Sequence, residues 1–89
     1  MNADVSLAAA AAPPAVFELL ADSSPGVLPR LLQPLARRNL VPQHLAAERA
    51  DTGIRVRIVL SGVSPGMLSL IEGNLRQVVG VQQLSRRAG

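Results

Sequence analysis

Apolar positions follow two rhythms along this chain. After Pro25, Leu28, Leu31, Leu32 and Leu35 recur at helical spacing. After Pro65, Leu68, Ile71, Leu75 and Val78 do the same. A period near 3.6 residues puts each set on one stripe, and predicts amphipathic helices over about 25–38 and 65–78. Between them the rhythm changes. Ile54, Val56, Ile58 and Leu60 alternate with Arg55, Arg57 and Ser61, broken by Val59. Period-two alternation marks a strand with one covered and one wetter face. This strand is predicted over about Gly53–Leu60. Three more are predicted at about 15–21, 42–50 and 79–84, the first pointing Phe17, Leu19 and Ala21 inward. Asp51-Thr52-Gly53 reads as a turn that folds the second and third strands into a hairpin. Glu48 then faces Arg55 across the pair, a favourable opposition of charge.

The two helical stripes open on nearly the same word, SPGVL at Ser24–Leu28 and SPGML at Ser64–Leu68. Serine caps helices because its hydroxyl accepts from a first-turn N–H that has no partner of its own. Proline at the first helical position gives up no needed donor. Both words therefore predict helix starts, with Gly26 and Gly66 letting backbone or ligand approach closely. Arg30, Gln33, Arg37 and Arg38 take the wet side of the first helix. Pro34 removes one of its hydrogen bonds and is expected to bend it. Asn39 is the expected left-handed residue after it. Glu72 and Arg76 are spaced as an i,i+4 pair on the second helix. Gly73 is read as a possible point of close contact, and Gly80 as the end of the unit.

The element order is thus βαββαβ, one βαβ unit used twice. It predicts an α+β, ferredoxin-like sandwich: a four-stranded antiparallel sheet with two helices on one face. A sheet this small leaves open edges, so a homodimer through sheet edges is expected.

Composition changes this picture little. The chain has 89 residues, enough for one modest core, and 48% of them are hydrophobic, which favours a packed globule. Phe17 is the sole aromatic, so the core is built from Leu, Val, Ile and Ala. The net charge is +3, carried by nine arginines without a lysine and spread along the chain rather than clustered. Nucleic-acid binding is therefore not expected. No apolar run reaches the ~18 residues of a membrane span, and the N-terminal stretch carries Asp4 where a signal peptide has positive charge. Residues 1–14, ending in Pro13-Pro14, are read as a flexible tail before a domain over 15–87. A cytoplasmic location is expected.

Residues 17–40, FELLADSSPGVLPRLLQPLARRNL, resemble the opening of an ACT domain: a strand, a polar turn, Pro-Gly-apolar-Leu, an amphipathic helix, and a turn into the second strand. GIRVRIVLSG and LRQVVGVQQLSRR extend the resemblance to about 15–87, and are most similar to the short regulatory subunits of acetolactate synthase. The resemblance implies domains paired into an eight-stranded sheet, docking onto a large catalytic subunit, with a branched-chain amino acid bound between two copies. The effector residues it implies are Asp22, Ser23, Ser24, Gly26, Val27 and Leu28 of one copy and Val41, at the start of the second strand, of the other. Valine-binding members commonly carry asparagine where Ser23 and Val41 stand. A subunit that stabilises its enzyme without an effector is thus expected alongside a feedback sensor.

The remaining chemistry is sparse. The chain has no cysteine, and its one histidine, His44, lacks neighbouring ligands in sequence. No serine is matched to a histidine and an acid. No catalytic residue, metal site or cofactor is expected. Asp22 reads as a turn residue, or as a partner for a ligand ammonium. Two other functions remain open: a stand-alone amino-acid-sensing homodimer, and a small basic RNA-binding domain. The second would require stacking aromatics that the third strand lacks.

Overall fold

A computed structural model describes residues 13–89, so most of the expected 1–14 tail lies outside the described residues. The strands are β1 (Ala15–Ala21), β2 (His44–Ala50), β3 (Gly53–Leu60) and β4 (Val81–Ala88). The helices are α1 (Val27–Ala36) and α2 (Pro65–Arg76). The sheet order is β2-β3-β1-β4 with every neighbouring pair antiparallel. Each helix therefore links two parallel strands that sandwich a third, the expected ferredoxin-like βαββαβ arrangement.

The core lies between the sheet and the helices. Phe17, Leu19 and Ala21 of β1 meet Val56, Ile58 and Leu60 of β3. Val27, Leu31 and Leu35 of α1 and Ile71 and Leu75 of α2 close over them. Phe17 is fully buried at the centre. Leu68 and Val78 pack against this cluster from its margin, half-buried. Gly53 sits where a Cβ would run into the Ala21 carbonyl, so the β2–β3 hairpin approaches β1 only as glycine.

The two SPG words do different work. Ser64 is the N-cap of α2, and its Oγ accepts from the Met67 N–H at 3.2 Å. Ser24 caps nothing. The Val27 N–H donates to the Ser24 carbonyl at 3.2 Å in a turn, and α1 starts two residues later than expected, with Gly26 as its N-cap. Pro29 gives the reason. Were Ser24 the cap, Pro29 would fall in the second turn, where its missing N–H breaks the ladder and its ring clashes. Starting at Val27 puts Pro29 in the first turn, where no donor is needed. The corresponding position of α2 is Ser69, which imposes no such shift.

α1 continues through Pro34 to Ala36, two residues short of the expected end. It closes with Asn39 at φ 56°, as expected. The Asn39 N–H donates to the Ala36 carbonyl at 3.1 Å and the Leu40 N–H to that of Leu35 at 2.9 Å. A Cβ on Gly66 or Gly73 would meet open space, so neither glycine marks a close contact. β4 starts later and runs four residues further than expected. Its register turns Leu84, Arg86 and Ala88 to the helix side. Arg86 pairs there with Glu72 of α2 at 3.3 Å, so a paired charge hides the alternation. Glu48 lies opposite Arg55 as predicted, but the two form no ion pair among the described residues.

Candidate functional site

Three segments converge at the end of the sheet where β1 runs into α1. The Asp22 N–H donates to the Gly80 carbonyl at 2.8 Å. Gln82 of β4 donates from Nε2 to Asp22 Oδ1 at 2.6 Å and to the Thr52 carbonyl at 3.2 Å. This ties the β1–α1 loop to the β2–β3 hairpin and to β4. Gly80 holds φ +104°, and a Cβ there would press on Val27 Cγ2 at 3.3 Å. Asp22 Oδ2 takes no protein hydrogen bond among the described residues.

Above this floor, Ser23 is exposed and Ser24 half-buried. Arg30 folds back over the loop. Its Nη2 donates to Ser24 Oγ at 3.4 Å and to the Val79 carbonyl at 3.3 Å, and its guanidinium lies against Gly26. Arg30 was expected on the wet side. Its spacing of four from Gly26, one helical turn with no side chain to keep it away, is the signal in the sequence that places it here. Gln82 and Thr52 reach the site through strand register, which carries no local signal.

The start of α1 offers fewer donors than the sequence suggested. Pro25 and Pro29 have no N–H, and that of Val27 is taken by Ser24. Among the first three helical residues Leu28 alone keeps a backbone N–H that no carbonyl accepts. The Val27 side chain is fully buried in the core, so this residue presents no surface to a ligand. Val41 is 87% exposed at the opposite end of the sheet. The register sets Ala21 beside Ile54, and Gln43 bonds Val59, so about 17 Å of strand separates the two ends. One copy of the chain does not bring Val41 to the loop.

The uncovered face of the sheet carries Val16, Glu18 and Leu20 flanked by Arg55, Arg57 and Val59 on β3 and by Gln83, Ser85 and Arg87 on β4. Glu18 bonds Arg57 and Arg87, each at 3.2 Å. The Arg57 hydrogen bond first, and that of Arg87 second, hold its carboxyl below the usual glutamate range. His44 lies on this face, exposed and opposite Val59. No three of His, Cys, Asp or Glu group as metal ligands among the described residues. No helix there is long and apolar enough to cross a membrane.

A family model described as an ACT-like domain matches residues 8–88. The chain belongs to the ACT-like domain family. ACT domains are regulatory modules that bind small molecules. Solved structures share the fold at low identity. The ACT domain of GTP pyrophosphokinase from Chlorobium tepidum is 13% identical with a TM-score of 0.73, over 85% of this chain and 99% of that one. The C-terminal domain of the MgtC protein from Mycobacterium tuberculosis is 17% identical with a TM-score of 0.69, over 88% of each. The uncharacterized protein TM1266 from Thermotoga maritima is 10% identical with a TM-score of 0.68, over 85% of this chain and 95% of that one. No curated protein matches the chain in sequence.

Proposed function

We propose that this ACT-like domain is a non-catalytic regulatory and assembly subunit, paired through its β2 edges into a continuous eight-stranded sheet. The observation that carries the reading is the state of β2. Among the described residues it is hydrogen-bonded on one edge only, and His44 to Arg49 are exposed on both of its faces. Leu45 is 44% exposed on the helix side, with Val41 beyond it. An open edge with apolar side chains is a template for pairing. Antiparallel pairing of two β2 strands about a two-fold axis brings Val41 of the second copy to the end of the sheet that holds Asp22. A small amino acid fits the groups gathered there: the free oxygen of Asp22 for its ammonium, and the Leu28 N–H for its carboxylate.

The narrower reading follows from LRQVVGVQQLSRR and the ordered motifs before it. The effector is a branched-chain amino acid, and the partner is the large catalytic subunit of acetolactate synthase, in the cytoplasm. The subunit carries no cofactor of its own. Glu18 pairs with both Arg57 and Arg87 on the open sheet face and offsets part of their charge, which supports a role without nucleic acid.

Purification with and without the co-expressed large subunit, followed by thermal melts with each amino acid, tests both levels. A ligand at ~100 times its dissociation constant stabilises by about 2.7 kcal/mol, which moves the melt well beyond error. Copurification supports the assembly subunit, and a shift with valine, leucine or isoleucine supports the sensor. A chain that stays alone, monomeric and unshifted overturns the proposal.

A further inference from the structure

A second concavity lies between the helices, away from the sheet edges. α1 contributes Arg30, Gln33, Pro34 and Arg37, spaced i, i+3, i+4 and i+7 on one face. The end of α2 and the turn after it contribute Asn74, Gln77, Val78 and Val79. The groove measures about 310 Å³, near the lower end of small-molecule sites. Two guanidinium groups and three carboxamides line it, and no carboxylate does.

Both arginines are under-used. Arg30 Nε is buried without a hydrogen-bond partner, and the two bonds from Nη2 are long for charged donors. Among the described residues the Arg37 side chain makes one hydrogen bond, to Gln33 Oε1 at 3.4 Å. Among the described residues neither forms an ion pair, and nor do Arg38, Arg49 and Arg55, whereas Arg57, Arg76, Arg86 and Arg87 each pair with a glutamate. Arg30 and Arg37 both line the groove, and a ligand with several acceptor oxygens meets their guanidinium groups there. The carbonyl end of α2 opposes an anion with roughly half a charge, which two full positive charges exceed.

We infer that this groove binds a phosphate group carried on a small molecule. A carboxylate satisfies one guanidinium fork. The four oxygens of a phosphate monoester engage two forks and neighbouring amides together, and the remaining volume admits the group that carries it. The inference goes beyond the proposed effector loop. Arg37 belongs to the groove alone, so a failure here leaves the loop reading standing.

The test is an NMR titration of the full chain with inorganic phosphate and with ribose 5-phosphate, against sodium chloride of matched ionic strength. Binding is expected to move the Nε–H signals of Arg30 and Arg37 and the carboxamides of Asn74 and Gln77. Arg37→Gln, at an exposed position, should weaken it at least tenfold and leave the melting temperature nearly unchanged. Arg55→Gln, on the far side of the sheet, should leave the affinity within twofold. Equal affinity for the two probes supports a site that reads the phosphoryl group alone. Tighter binding of the ester supports contacts to its carrier. Shifts no larger than those with chloride, or equal losses in the Arg37 and Arg55 variants, overturn the inference.

Discussion

Alanine at Ser64 and at Ser24 should have unequal effects, although the sequence spells both sites alike. Ser64→Ala removes the hydroxyl that accepts from Met67. Losing an N-cap costs about 0.5–2 kcal/mol. Ser64 is exposed and its bond is 3.2 Å long, so the lower half of that range applies, about 0.5–1 kcal/mol. In a domain of this size that lowers the melting temperature by about 2–8 °C. Ser24→Ala loses one 3.4 Å bond from Arg30 and no cap, and should fall within about 0.5 kcal/mol of the parent. Urea melts followed by far-ultraviolet circular dichroism separate the two, provided the slopes agree and the midpoints alone move. A third chain tests the cause. Pro29→Ser frees α1 to start at Pro25, as Ser69 permits in α2. In that background Ser24→Ala should cost about as much as Ser64→Ala, on the order of 1 kcal/mol. Equal costs for the two serines in the parent, or no rise at Ser24 after Pro29→Ser, would refute the role given to Pro29.

Gly53→Ala should destabilise by more than the few tenths of a surface change, since its Cβ meets the Ala21 carbonyl rather than a movable side chain. A cost beyond about 2 kcal/mol in the same melts is expected, and a neutral result would put the hairpin elsewhere. Glu18 is held below its ordinary pKa of 4.5, so its contribution to stability is full above that value and lost as pH falls through the folded pKa. Glu18→Gln should therefore melt earlier than the parent at neutral pH, with the gap closing on acidification. A gap independent of pH would mean that the pairs with Arg57 and Arg87 do not form in solution.

Legibility in the sequence followed the number of faces each element buries. β1 and β3 sit at the middle of the sheet, their inward positions are apolar without exception, and their ends are legible despite the outward Val16, Leu20 and Val59. β2 presents both faces to solvent as a monomer, so HLAAERA carries no burial rhythm, and nothing in the sequence separates a start at Pro42 from the observed start at His44. The end of β4 is not legible because Arg86, on the helix side, pairs with Glu72 and so interrupts the apolar alternation. The start of α1 departs from the SPG word because Pro29, five residues after Ser24, cannot sit in a second helical turn. Within the loop, Asp22 was visible as a polar turn. Its partner Gln82 was not, because 60 residues separate them and only strand register joins them.

The thin attachment of β2 also bears on motion. A strand bonded along one edge, with little apolar surface covered, opens at a lower free energy than the core that β1 and β3 anchor. In a lone chain its amides should be among the first to exchange with deuterium, long before those of β1. A second copy seated on that edge would give the outward-facing amides new acceptors and slow their exchange. The exchange rate of seven residues, His44–Ala50, thereby becomes a local gauge of association. A domain whose least protected strand is also its joining surface gains local order when it finds its partner, so assembly and rigidity rise together.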